Sequence, residues 1–138
     1  MRAAVIIAVA GALAVGIACG GSSDGLPDDA EVPKIASVAE GAANGFRDGG
    51  AEIFRQWFSP EFHQRCSEGE FAKALKDTQV PAGFSRLASV HFAGSSADAT
   101  VVLVSGSGKE YEEEWEFVQG EQEAWFLDGV PATKDCGR

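Results

Sequence analysis

Apolar residues recur every three or four positions in the first half of the chain and every second position in the second half. The helical spacing runs from Pro33 to Phe58. Five apolar residues mark one face of its first part: Ile35, Val38, Ala39, Ala42 and Phe46. The alternating spacing begins after Pro81-Ala82-Gly83. Because a period near 3.6 residues favours an α-helix and a period of two favours a strand, the pattern predicts helices first and strands second.

Turn and capping residues divide the helical half into four segments. Asp48-Gly49-Gly50 predicts the end of a first helix, and a second helix follows over 51–58. Ser59-Pro60 matches a cap followed by proline at the first helical position, so a third helix is expected up to about Cys66. Ser67-Glu68-Gly69-Glu70 has the capping-box pattern and precedes a fourth short helix. Its apolar face holds Phe71, Ala72 and Leu75.

The second half contains four alternating runs, within 88–92, 97–104, 109–118 and 124–127, separated mainly by glycine and serine turns. In the third run Tyr111, Trp115 and Phe117 face one way, together with Glu113. Four glutamates face the other way: Glu110, Glu112, Glu114 and Glu116. The order predicts an α+β fold, with N-terminal helices packed on a curved antiparallel sheet of about four strands.

The chain begins with Met1-Arg2 and an apolar and glycine stretch over 3–18, which ends at Gly16-Ile17-Ala18-Cys19. That stretch is short for a membrane-spanning helix and typical of a signal-peptide core. The segment resembles a bacterial lipobox, although that family favours Leu where this chain has Gly16. The resemblance implies cleavage before Cys19, acylation of Cys19 and a lipid anchor on the extracytoplasmic face of a membrane. Ordinary cleaved secretion and an uncleaved anchor are the alternatives.

These features divide the chain into a signal peptide over 1–18, a flexible linker over 19–32 that carries Cys19, and a single domain over 33–138. The formal net charge is −10 at pH 7. An acidic surface repels phosphate backbones and anionic lipid, so nucleic acid is not an expected partner and the membrane contact is expected through lipid.

Cys66 and Cys136 are the only intramolecular pair left once Cys19 is acylated, and an exported protein meets an oxidising environment. We therefore expect a disulfide between them. A metal or catalytic role for Cys66 is the alternative. That role would need more ligands than the sequence offers nearby, because His63 supplies only one at a suitable spacing.

Several segments together resemble one superfamily. They are Phe46-Arg47-Asp48-Gly49-Gly50, the run from Trp57 to Phe62, Cys66-Ser67, and Glu123-Ala124-Trp125-Phe126-Leu127. In order and spacing, residues 32–130 resemble exported bacterial lipoproteins of the nuclear transport factor 2-like superfamily. The resemblance implies a cone in which a bent sheet wraps around helices and leaves a pocket at the wide end. Members include non-catalytic proteins, polyketide cyclases and ketosteroid isomerases, so the fold alone does not select a function.

Four residues are candidates for chemistry in such a pocket: His91, Tyr111, Glu113 and Asp128. A carboxylate base and a tyrosine donor would suit an isomerase or lyase. Each residue also has a structural explanation, and no spacing among them demands catalysis. The glutamates of the third strand run are spaced along a face rather than arranged as a calcium cage.

The sequence therefore favours a lipid-anchored, non-enzymatic module that binds a small apolar ligand or an envelope protein. The alternative is a small-molecule isomerase or lyase. We expect no cofactor and no metal. A homodimer formed through the open sheet is a further possibility, although the acidic strip opposes self-pairing.

Overall fold

The structure is a computed structural model that describes residue 26, residues 29–76 and residues 78–136. The expected signal peptide and Cys19 lie outside the described residues. Within these residues four helices come first: α1 over Val32–Asp48, α2 over Ala51–Trp57, α3 over Pro60–Arg65 and α4 over Glu68–Lys76. Four strands follow: β1 over Gly83–Ala93, β2 over Ser96–Val104, β3 over Glu110–Gln119 and β4 over Trp125–Gly129. This arrangement confirms the predicted α+β fold.

Local sequence signals set the helix boundaries. The N–H of Gly50 donates to the carbonyl of Gly45 after the last turn of α1, and both Gly49 and Gly50 have positive φ values, of 131° and 86°. Glycine adopts this region without the steric penalty that a Cβ brings. Ser59 Oγ accepts from the Phe62 N–H at 3.0 Å and caps α3. None of the helices in the described ranges is both long and apolar enough to span a membrane.

The sheet is an open antiparallel meander in the order β1-β2-β3-β4. One face, here called the inner face, packs against the helices and carries buried residues of all four strands. They include Val90, Ala99, Val101, Leu103, Trp115, Phe117, Trp125 and Leu127. The opposite, outer face carries the four alternate glutamates of β3, which are exposed. The hydrophobic effect therefore fixes which side of the sheet meets α1.

Two irregularities in β1 reverse the side-chain alternation that the sequence predicts. The register with β2 shifts between Phe84 and Arg86, and again between Leu87 and Ser89. Alternation predicts Leu87 on the same side as His91, and the structure corrects this: Leu87 is buried in the core, while His91 is exposed. Each shift inserts one residue, so side chains after it change faces.

The core continues from the sheet into a cluster of phenylalanines on the helices. Phe46 of α1 contacts the ring of Trp115 edge-on, with ring centroids 6.1 Å apart, and lies 6.4 Å from the ring of Phe71 of α4. Phe58 and Phe62 pack against the same Phe71 ring. These contacts join α1, the short helices and β3 into one core.

The end of the chain returns to the helices through a disulfide. Cys66, which follows α3 and is buried, is joined to Cys136 across a Cα–Cα distance of 5.4 Å. Segment 130–136 also places Val130 and Thr133 in buried positions. The covalent link therefore holds the last described residues beside α3 and α4.

Candidate functional site

An apolar cleft lies between the end of α1, the Gly49-Gly50 turn and α4. Its volume is about 510 Å³. We call it the helical cleft. Its lining comes from the helices and the segments next to them: Phe46, Gly49, Gly50, Glu68, Gly69, Phe71, Ala72, Leu75, Lys76 and Val80. No strand residue lines it, so it differs from the pocket expected inside the cone.

Small residues keep the helical cleft open. Gly49, Gly50, Gly69 and Ala72 present at most one methyl group between the two helices. A Cβ at Gly50 would lie 3.0 Å from Leu75 Cδ1, so the turn has little room for a side chain on that side. A Cβ at Gly69 would meet nothing within 4 Å. These small residues therefore leave space beside the rings of Phe46 and Phe71, which larger side chains would fill.

Two ionisable side chains, Glu68 and Lys76, lie at the rim of the helical cleft, and they differ in whether they form an ion pair. Glu68 accepts from the Arg55 guanidinium at 3.2 and 2.8 Å and so has a cationic partner. Within the described part of the chain, no carboxylate lies within 4.0 Å of the Lys76 ammonium. Val80 completes the rim and is 38% exposed, the largest exposure recorded for a large hydrophobic residue among the described positions.

Two of the residues selected from the sequence, Tyr111 and Glu113, lie close together on the inner face of β3. Glu113 accepts from the Trp115 indole N–H at 2.9 Å, and burial raises the pKa of its carboxyl, partly offset by this hydrogen bond. The Tyr111 hydroxyl is buried and has no hydrogen-bond partner among the described residues. Burial, with the nearby Glu113 charge, raises the pKa of Tyr111 to about 12. Burial therefore favours the neutral, protonated form of both groups.

The other two selected residues lie elsewhere. His91 is exposed on the outer face and pairs across the strands with Asp98. Asp128 accepts from the Ser59 hydroxyl at 2.9 Å and from the Arg65 guanidinium at 3.3 Å, at the end of β4. The structure therefore does not bring His91 and Asp128 to the Tyr111–Glu113 pair.

Asp128 instead borders a second, smaller cleft of about 300 Å³ beside the disulfide. Its walls include Arg65, Lys134 and Cys136, together with Glu114 and Glu116 of β3. Arg65 is already bound to Asp128, and its guanidinium lies 5.0 Å from the centre of the Phe62 ring. No group of three histidine, cysteine or carboxylate side chains among the described residues is placed to hold a metal ion.

The described lining of the helical cleft is mainly apolar, and its ionisable side chains are Glu68 and Lys76. Sequence reasoning identified Phe71, Ala72 and Leu75 as the apolar face of a short helix but did not connect that face with a binding site. The available signal was the Gly49-Gly50 turn beside that face, together with Gly69 on the same helix.

No family model matches this chain, and neither a curated protein nor a solved structure is significantly similar to it.

Proposed function

We propose that this chain is a lipid-anchored, extracytoplasmic, non-enzymatic module that binds a small apolar ligand in the helical cleft. The observation that carries the proposal is the lining of that cleft by two aromatic rings, aliphatic side chains and glycines. Binding sites for small molecules are mostly apolar and have volumes of about 300–1,000 Å³. A volume of about 510 Å³ falls within that range.

Hydrophobic burial supplies the affinity in this proposal. Phe46 and Phe71 form the floor and belong to the packed core, so the floor exists before a ligand arrives. A rigid site loses little conformational entropy on binding. Each ligand methylene removed from water contributes about 0.8 kcal/mol. The exposed Val80 at the rim would be covered in the bound state.

A dye titration tests the binding site. The full chain is reconstituted in lipid nanodiscs and titrated with N-phenyl-1-naphthylamine, an uncharged dye whose fluorescence rises in apolar surroundings, with empty nanodiscs as the blank. Ala72→Phe places a ring in the helical cleft. Lys73→Phe adds the same ring one position along, where the residue is exposed and does not line the cleft. We expect Ala72→Phe to weaken dye binding at least ten-fold and Lys73→Phe to leave it within two-fold. Equal affinity of both variants would overturn the proposal.

The lipid anchor rests on the lipobox resemblance around Cys19. Two or three acyl chains at one residue would give stable membrane attachment, whereas one chain gives only marginal binding. Growth with a radiolabelled fatty acid tests this. We expect label on the full chain and none on the Cys19→Ala variant. Absence of label from the unaltered chain, or its persistence in the variant, would contradict the anchor.

We also propose that the domain belongs to the nuclear transport factor 2-like superfamily. The order of four helices followed by a four-stranded antiparallel meander supports this, as do the register shifts that bend β1. An experimental structure with the sheet curved around α1 would agree. A flat sheet, or an additional strand between β1 and β2, would contradict it.

A further inference from the structure

We propose that the ligand of the helical cleft is an anionic amphiphile, with its apolar body on Phe46 and Phe71 and its charged head at Lys76. This inference rests on the proposed function and specifies its ligand. It follows from the charges at the rim of the cleft together with the order of apolar and charged residues along α4.

The charges at the rim lie at opposite ends of α4. Arg55 contacts both Glu68 and Glu52, the latter at 3.4 Å, so one guanidinium is shared by two carboxylates and the Glu68 end keeps a net negative charge. Lys76 lies in the last turn of α4 and lines the same cleft. Among the described residues it has no carboxylate partner within 4.0 Å. A ligand that places a negative charge beside Lys76 gains an ion pair, whereas a cationic ligand is repelled by it.

The apolar and charged parts of the cleft are arranged in sequence along α4. Phe71, Ala72 and Leu75 lie on the apolar wall, and Lys76 follows at the end of the helix. Because residues three and four apart occupy one helix face, Ala72 and Lys76 are neighbours on the wall. An amphiphile whose body contacts the apolar wall therefore carries its head group to Lys76. Carboxylate and phosphate heads share this chemistry.

Matched amphiphiles test the charge preference. The full chain in nanodiscs is titrated calorimetrically with decanoate, decyl phosphate, decanol and decylamine, and empty nanodiscs provide the blank. We expect decanoate to bind three- to ten-fold more tightly than decanol, and decylamine to bind more weakly than decanol. Tighter binding of decyl phosphate than of decanoate would identify a phosphate head, and the reverse order would identify a carboxylate.

Two variants locate the charge. Lys76→Gln is expected to bring decanoate affinity down to that of decanol without changing decanol affinity. Lys73→Gln removes an exposed lysine from the same helix that does not line the cleft, and is expected to retain the preference. Thermal melting of both variants, expected within about 2 °C of the parent, checks that they fold.

The outcomes separate this inference from the function on which it rests. If decanol binds and decanoate is not preferred, or if Lys73→Gln abolishes the preference as fully as Lys76→Gln, the inference is overturned while the apolar site stands. If none of the four compounds binds, the inference and the proposed function are both overturned.

Discussion

The indole N–H of Trp125 donates a 2.7 Å hydrogen bond to the carboxylate of Glu31, although the two residues are 94 positions apart. Glu31 immediately precedes α1, and Trp125 begins β4. The same carboxylate accepts from Lys34 at 3.0 Å. The sequence assigned Glu31 to the linker, yet the contact ties this residue to the edge strand of the sheet.

This contact gives the domain an acid-sensitive element. The Trp125 hydrogen bond, followed by the Lys34 contacts, lowers the pKa of Glu31 below its ordinary value of 4.5. A carboxyl whose pKa is depressed by folding contributes stability above its unfolded pKa and loses it as the pH falls through the folded pKa. We expect Glu31→Gln to melt at a lower temperature than the parent near pH 7, and the two melting temperatures to converge as the pH falls below 4.5.

Glu40→Gln provides the control, since Glu40 is an exposed glutamate of α1. It is expected to melt with the parent at every pH. A difference between Glu31→Gln and the parent that persists unchanged at low pH would show that the ionised carboxylate does not stabilise the fold.

The Tyr111 hydroxyl predicts an unusual stabilising substitution. It is buried with no hydrogen-bond partner in the described part of the chain. A buried polar group without a partner loses its hydration for no compensating bond. We expect Tyr111→Phe to raise the free energy of unfolding by about 1 kcal/mol in denaturant titrations. A loss of stability would mean that the hydroxyl has a partner in solution.

Glu113 lies on the same face as Tyr111. Its effect on the stability of the fold is expected to change with pH in the opposite direction to that of Glu31. Burial raises its pKa, so the folded state disfavours the carboxylate, and this group destabilises the fold more as the pH rises through the folded pKa. Glu113→Gln keeps an oxygen for the Trp115 N–H. We expect its stability relative to the parent to be higher at pH 7 than at pH 4. An equal difference at both pH values would contradict the raised pKa.

Two glycines of the helices predict opposite effects of the same substitution. A Cβ at Gly45 of α1 would lie 1.8 Å from Ile53 Cγ2, whereas a Cβ at Gly69 of α4 would meet nothing within 4 Å. We expect Gly45→Ala to lower the free energy of unfolding by about 1–3 kcal/mol through overpacking. Gly69→Ala is expected to raise it by about 0.5–1 kcal/mol, because alanine loses less backbone entropy in a helix. Chemical denaturation measures both, and equal effects would contradict the close α1–α2 contact.

The disulfide is expected to make a large contribution to the free energy of unfolding, because it restricts the unfolded chain. Cys66 and Cys136 are separated by 70 positions, and closing a loop of this length restricts the unfolded ensemble. We expect the double variant Cys66→Ala and Cys136→Ala to lose about 2–4 kcal/mol of unfolding free energy. Addition of a reductant should destabilise the parent and leave the double variant unchanged. Equal responses of the two proteins to reductant would contradict the bond.

Local patterns predicted the elements of this fold because each signal acts over a few residues. The Ser67–Glu70 capping box is present, with hydrogen bonds of 2.9 and 3.1 Å, and Gly49-Gly50 ends α1. The alternation in β3 correctly placed Tyr111, Glu113 and Trp115 on one face. In each case the residues that form the sequence pattern are the same residues that form the cap, the turn or the strand face.

Longer-range features could not be predicted in the same way. The register shift after Leu87 depends on how β1 pairs with β2, and it puts Leu87 on the inner face, opposite His91, although alternation predicts the two on one side. The helical cleft forms where α1 and α4 approach each other, and its glycines read in sequence only as helix-weakening or turn residues. Pairing register and helix separation are set by the whole core rather than by a short segment.

We propose that this domain binds an apolar ligand in the helical cleft rather than on the inner face of β3. Chemical-shift mapping of the ¹⁵N-labelled full chain in nanodiscs during a decanol titration tests it most directly. We predict saturable shifts that cluster at the amides of Gly49, Gly50, Ala72 and Val80. Shifts that cluster instead around Tyr111 and Glu113, or that fail to saturate anywhere, would contradict it.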